Sequence, residues 1–138
     1  MLTRTSLQRL AQVRLDDALL LLQSNRPSSA YYLAGYAVEL GLKACISRQV
    51  RSDTIPDKGF VNAIYTHSPE RLLSLAGLKP QFDADARADS QLAGYWAIVN
   101  NWNEESRYEP WDPIAAASLL EAVNDPAHGV FRWLKQHW

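Results

Sequence analysis

The sequence predicts an all-α fold: an up-and-down antiparallel helical bundle with short extra helices. Apolar residues recur at helical spacing in several separate segments. No stretch alternates apolar and polar residues, and no Asn-Gly pair marks a hairpin. Glycine and proline are sparse and fall largely between the periodic segments, where they punctuate helices. The 138 residues suit a single domain, 1–138. A chain of this length buries a sizeable core without a metal or disulfide.

The first helix is expected over about 6–24, because Leu15, Ala18, Leu19 and Leu22 form an i, i+3, i+4, i+7 stripe. Asn25, Arg26 and Pro27 break it. Ser28 or Ser29 is the expected cap of a second helix running to about Val50. This helix, containing SSAYYLAGYAVELGLKAC (29–46), is apolar on nearly every face, and its Ala and Gly positions allow a neighbouring helix to approach closely. Residues 51–66 read as a loop with a helical turn near 60–64. Ser68-Pro69 starts a short helix, with Glu70 in the first turn where negative charge suits the dipole, and Gly77 ends it. Ala88, Leu92, Tyr95, Val99 and Trp102 predict one long helix over about 83–104. Asp112-Pro113 is a cap followed by an N1 proline, opening a helix to about Val123. Asp125-Pro126 repeats the signal for a last helix carrying Val130, Trp133 and Leu134.

Composition narrows the function classes. Fourteen basic and 15 acidic residues leave a net charge of −1, against a strongly electrostatic nucleic-acid binder. Cys45 is the only cysteine, so no intrachain disulfide forms, and a reducing cytoplasm is the expected setting. Residues 1–10 are polar and lack the apolar core of a signal peptide. No window is apolar enough to span a membrane.

The sharpest chemical feature is Glu39 and Lys43, one helical turn apart in apolar surroundings. They form either a fold-supporting ion pair or part of a polar site facing a phosphate or a hydroxyl. Arg107 follows the long helix among aromatics. It either caps that helix or pairs with Glu39, or it presents its planar fork to a phosphate. His67, just before a helix, is a loop or cap histidine or a proton-transfer group. His128 and His137 lie in polar context. No glycine-rich phosphate loop, nucleophile elbow or metal-ligand spacing occurs, so no metal or cofactor is expected.

The segment AYYLAGYAVELGLKA (30–44) resembles the second-helix signature of HEPN domains. The Tyr65-Thr66-His67 turn, Trp102 with Ser106-Arg107-Tyr108, and GVFRWLK (129–135) resemble elements of small stand-alone bacterial members. The resemblance covers most of the chain. It implies a helical homodimer and a metal-independent endoribonuclease of toxin–antitoxin or defence systems. It also implies RNA or a nucleotide as ligand and a small nucleotidyltransferase as antitoxin partner. Glu39 and Lys43 match in spacing a Glu-x-x-x-Lys motif of some members. The family's usual Arg, four to six residues, then His is absent after Arg107, where Tyr108 to Pro113 contain no histidine. Arg132 and His137 fit that spacing only by count. Glu39, Lys43, Arg107 and His67 are therefore the expected site. The alternative is a catalytically inactive module that binds a nucleotide or a nucleotidyltransferase.

Overall fold

The computed structural model describes residues 2–138; Met1, the first residue of the polar opening, lies outside them. Thr3 and Ser6 exchange side-chain bonds with each other's backbone N–H, so the first helix, α1 (Arg4–Gln23), starts slightly earlier than its apolar stripe. Leu7, Ala11, Leu15 and Ala18 form its buried face. Asn25, in the left-handed region at φ 59°, reverses the chain.

Helix α2 (Pro27–Ser47) packs along α1 and is the axis of the fold. Neither expected serine caps it. Pro27 starts the helix with its fixed φ, Arg26 takes the N-cap position, and the Ser28 hydroxyl accepts instead from the Trp111 N–H at 2.9 Å. From Ala30 to Ile46 most of its side chains are buried. Cys45 is among them, its thiol 3.9 Å from the Leu134 carbonyl.

Asp57 caps α3 (Lys58–Ile64), which has no buried residue. Ser68 caps α4 (Pro69–Leu75) by accepting from Arg71 N–H, and Gly77, at φ 71°, carries the chain out of it. The expected helix over 83–104 is three elements. Helix α5 (Lys79–Ala88) ends at Asp89, whose carboxylate accepts from Gln91 and Leu92 N–H and so caps α6 (Ser90–Asn100). A 3-10 turn, Glu104–Tyr108, capped by Asn103, follows. The break at Asp89 lets Phe82 on α5 meet Trp96 on α6, ring centroids 4.9 Å apart. The Asp112-Pro113 signal opens α7 (Pro113–Asn124) as expected. Asp125-Pro126 does not open a helix. The Asp125 carboxylate accepts from Ala127 and His128 N–H to make a turn, and α8 (Val130–Lys135) starts after Gly129.

All regular elements among the described residues are helical, so the all-α bundle stands. Helix α2 touches α1, α4, α7, α8 and the 3-10 turn, and α7 packs on α6 and α8. No helix among the described residues is long and apolar enough to cross a membrane.

Two contacts govern how the later elements sit. The Trp102 indole lies against Gly35, where a Cβ would collide with Cδ1, Cδ2 and Cε2 of the ring. The Glu70 carboxylate on α4 gathers Lys79 Nζ at 2.8 Å and Trp96 Nε1 and Asn100 Nδ2 at 3.0 Å, tying α4 to α5 and α6. Gly35→Ala is expected to expel Trp102 and lower stability by about 1–3 kcal/mol, read from urea melts. A variant as stable as the parent contradicts this packing. Burial alone raises the Glu70 pKa, but bonds from Lys79, Asn100 and Trp96 outweigh it and hold the group below 4.5. A lowered carboxyl adds stability above its unfolded pKa and loses it as pH falls through the folded one. The Tm advantage of the parent over Glu70→Gln is therefore expected in full above pH 4.5 and should fade as pH drops from there through the lowered folded value. An advantage that does not change with pH contradicts the assignment.

Candidate functional site

A charge inside the apolar α2 has to be compensated. Glu39 is 2% exposed. Its Oε2 lies 3.3 Å from Lys43 Nζ, one turn along the helix. Its Oε1 lies 2.7 Å from His67 Nδ1, presented by the turn between α3 and α4. The other nitrogen, His67 Nε2, lies 2.8 Å from Glu104 Oε2 on the 3-10 turn. His67 thus bridges two carboxylates, one buried and one 44% exposed. Carboxylates only accept, so both bonds form together when the ring carries a proton on each nitrogen. With one ring proton, one ionised carboxylate loses its donor.

The residues above Glu39 on the same face of α2 are aromatic. Tyr36 stacks on Tyr32 with centroids 6.1 Å apart, and Tyr32 on Trp102 at 5.9 Å. Burial raises the Tyr36 pKa, and the Glu39 charge raises it further. Trp102 Nε1 is buried with no bonding partner. Because Trp102 is seated on Gly35, the turn that follows it is delivered over α2, and Glu104 with it.

Arg107 does not join this cluster. It is exposed and makes no ion pair with Glu39 among the described residues. Its guanidinium lies 4.8 Å from the Tyr108 ring centroid, and the phenols of Tyr108 and Tyr32 favour its charged form. With Leu21, Ser28, Tyr32 and Leu33 it lines a separate groove of about 410 Å³. Tyr32, on that groove, is seven residues from Glu39, a helical rise of about 10 Å. The expected set therefore divides: Glu39, Lys43 and His67 converge, while Arg107 marks the far end of the aromatic row. Glu104 is the member that sequence reasoning missed. It was hidden because the long-helix pattern placed it at a helix end, whereas the chain turns at Trp102.

The remaining histidines lie elsewhere. His128 Nδ1 bonds Asp89 Oδ2 at 2.7 Å, and that bond does most to hold the Asp89 carboxyl below its usual range. His137 packs on Trp133, centroids 4.2 Å apart, with Nε2 buried and unpartnered. Burial holds its pKa below the usual value. No group of three or more His, Cys, Asp and Glu among the described residues is arranged to hold a metal ion.

Removing one member of a buried charged set leaves its partners uncompensated. His67→Ala strips a donor from the buried Glu39 carboxylate and is expected to cost about 3 kcal/mol in urea melts, and Glu39→Ala less, about 1–2 kcal/mol, because the Lys43 and His67 it leaves behind both reach water. A His67→Ala variant as stable as the parent contradicts the dependence of Glu39 on that donor. Compared with protein-family models, with curated proteins and with solved structures, the chain matches none.

Proposed function

We infer that this chain is a HEPN-like helical protein that cleaves RNA without a metal ion, as a homodimer in the cytoplasm, in a toxin–antitoxin or defence setting. One observation carries the reading: a buried carboxylate, Glu39, orients the Nδ1 side of a half-exposed imidazole whose Nε2 faces a second carboxylate, Glu104, that reaches water. A buried acid that fixes one ring nitrogen leaves the other to exchange a proton with substrate.

In this reading a ribose 2′-hydroxyl displaces Glu104, which leaves with the Nε2 proton, and then gives its own proton to the freed His67 Nε2. The 2′-oxygen bonds to the neighbouring phosphorus as the bond to the 5′-oxygen breaks. The imidazolium returns the proton to that leaving oxygen, producing a cyclic phosphate and a 5′-hydroxyl. Lys43 offsets charge on the phosphate undergoing substitution. Arg107, about two helical turns away, holds a flanking phosphate through its planar fork.

A second reading has its own observation. Both His67 nitrogens are already engaged, and a base with no free nitrogen is inert. The cluster is then a structural bridge, in an inactive module that binds a nucleotide or a nucleotidyltransferase antitoxin.

Glu104→Ala separates the two by sign. If the bridge is an occupied active centre, freeing Nε2 keeps or raises cleavage of total RNA or tRNA, while His67→Ala lowers it about 100-fold or more. If the bridge is structural, the parent leaves RNA intact and Glu104→Ala only loses stability. A monomer by light scattering at micromolar concentration contradicts the homodimer.

A further inference from the structure

A cleft of about 520 Å³ lies away from the Arg107 groove, between α3 and α4. That volume falls in the range of pockets that enclose small organic ligands. Its polar lining is dominated by donors. Arg71 projects from α4, Ser74 lies one turn further on, and Asn62 and Thr66 stand on the opposite wall. The Thr66 oxygen accepts from Ser68 N–H, which leaves the hydroxyl proton free to donate.

The charge on these walls is one-sided. Glu70 is the only acid lining the cleft, and its carboxylate is consumed by Lys79, Trp96 and Asn100. The ion pairs of this region, Lys79 with Glu70 and with Asp83, leave the Arg71 guanidinium out. A guanidinium fork with three neutral donors around it, and no acid left to satisfy them, suits an oxyanion with several acceptor oxygens. Ala63 and Leu75 add an apolar surface for the body that carries that anion. The two walls also differ in firmness. Leu72 and Leu73 root α4 in the core, while α3 buries no residue and can adjust to an occupant.

We propose that the α3–α4 cleft binds a small phosphomonoester, with Arg71 gripping the phosphate and Ser74, Thr66 and Asn62 donating to its oxygens. The site is independent of the RNA reading, since it uses neither Glu39 nor Glu104. It adjoins that cluster only through the Thr66–His67 peptide.

Calorimetry on the whole chain tests the proposal, with inorganic phosphate, ribose 5-phosphate and AMP as probes and citrate as a carboxylate control. At least one ester is expected to bind about tenfold or more tightly than citrate, and Arg71→Ala to weaken it by a similar factor. The ribose 5-phosphate and AMP arms distinguish a bare sugar phosphate from a base-bearing ester. Arg71→Lys keeps the charge but loses the fork, so an intermediate affinity is expected. Asn62→Ala, on the other wall, is expected to weaken binding without touching Arg71. Arg71 is exposed, so its variants should melt with the parent. His67→Ala should retain full affinity, so a protein that fails to cleave RNA leaves this site standing. Esters no tighter than citrate, or full ester affinity in Arg71→Ala, overturns the proposal.

Discussion

One carboxylate buried in the central helix constrains much of the molecule. Glu39 is enclosed where α2 meets its neighbours, and water cannot stabilise its charge. Two groups answer that need. Lys43 comes with the helix itself, one turn away. His67 has to be brought from the connection between two short helices, and its second nitrogen takes up Glu104 from a segment further along the chain. A single desolvated charge therefore ties together segments that lie far apart in the sequence. This is the sense in which a polar group in a core trades stability for a defined arrangement.

Trp102 supplies the complementary apolar constraint. The contact on Gly35 needs the absence of a side chain, and it is made by a residue just beyond the end of α6. That contact turns the chain back across α2. Trp111 then anchors the far side of the turn, stacked on Tyr31 with centroids 3.7 Å apart and donating its indole N–H to the Ser106 carbonyl. Glu104 and Arg107 are consequently carried by an aromatic frame, with Glu104 bonded to His67 Nε2 and Arg107 set beside the Tyr108 ring. Their division between two ends of the Tyr32–Tyr36 row follows from the geometry of the short turn.

Much of this architecture was legible in the sequence because it rests on local chemistry. The caps at Ser68 and Asp112, each followed by proline, act within four residues, and the stripe on α1 needs only its own period. The Glu39–Lys43 pair is likewise a property of one helix. The remainder depends on residues distant in sequence. Ser28 looks like a cap, yet its hydroxyl serves Trp111, 83 positions away. Asp89 interrupts an apolar period that continues on both sides. Its carboxylate is also claimed by His128, 39 positions on. Periodicity is blind to such a break, because the residues on either side still face the same core. Glu104 was missed for the same reason, and Arg107 was expected beside Glu39 from its residue type and the resemblance of its segment, neither of which fixes where the chain delivers it.

The lone thiol of Cys45 has a practical consequence. It is sealed between α2 and α8, and burial pushes its pKa up to about 12. The nucleophile in alkylation and disulfide exchange is the thiolate, so in the folded chain this sulfur is doubly protected, by access and by ionisation. Modification by a soluble thiol reagent has to wait until the two helices part. The rate at which a labelling reagent takes up this one sulfur then acts as a clock for the opening of the core. It does so in the unaltered chain, without an introduced probe.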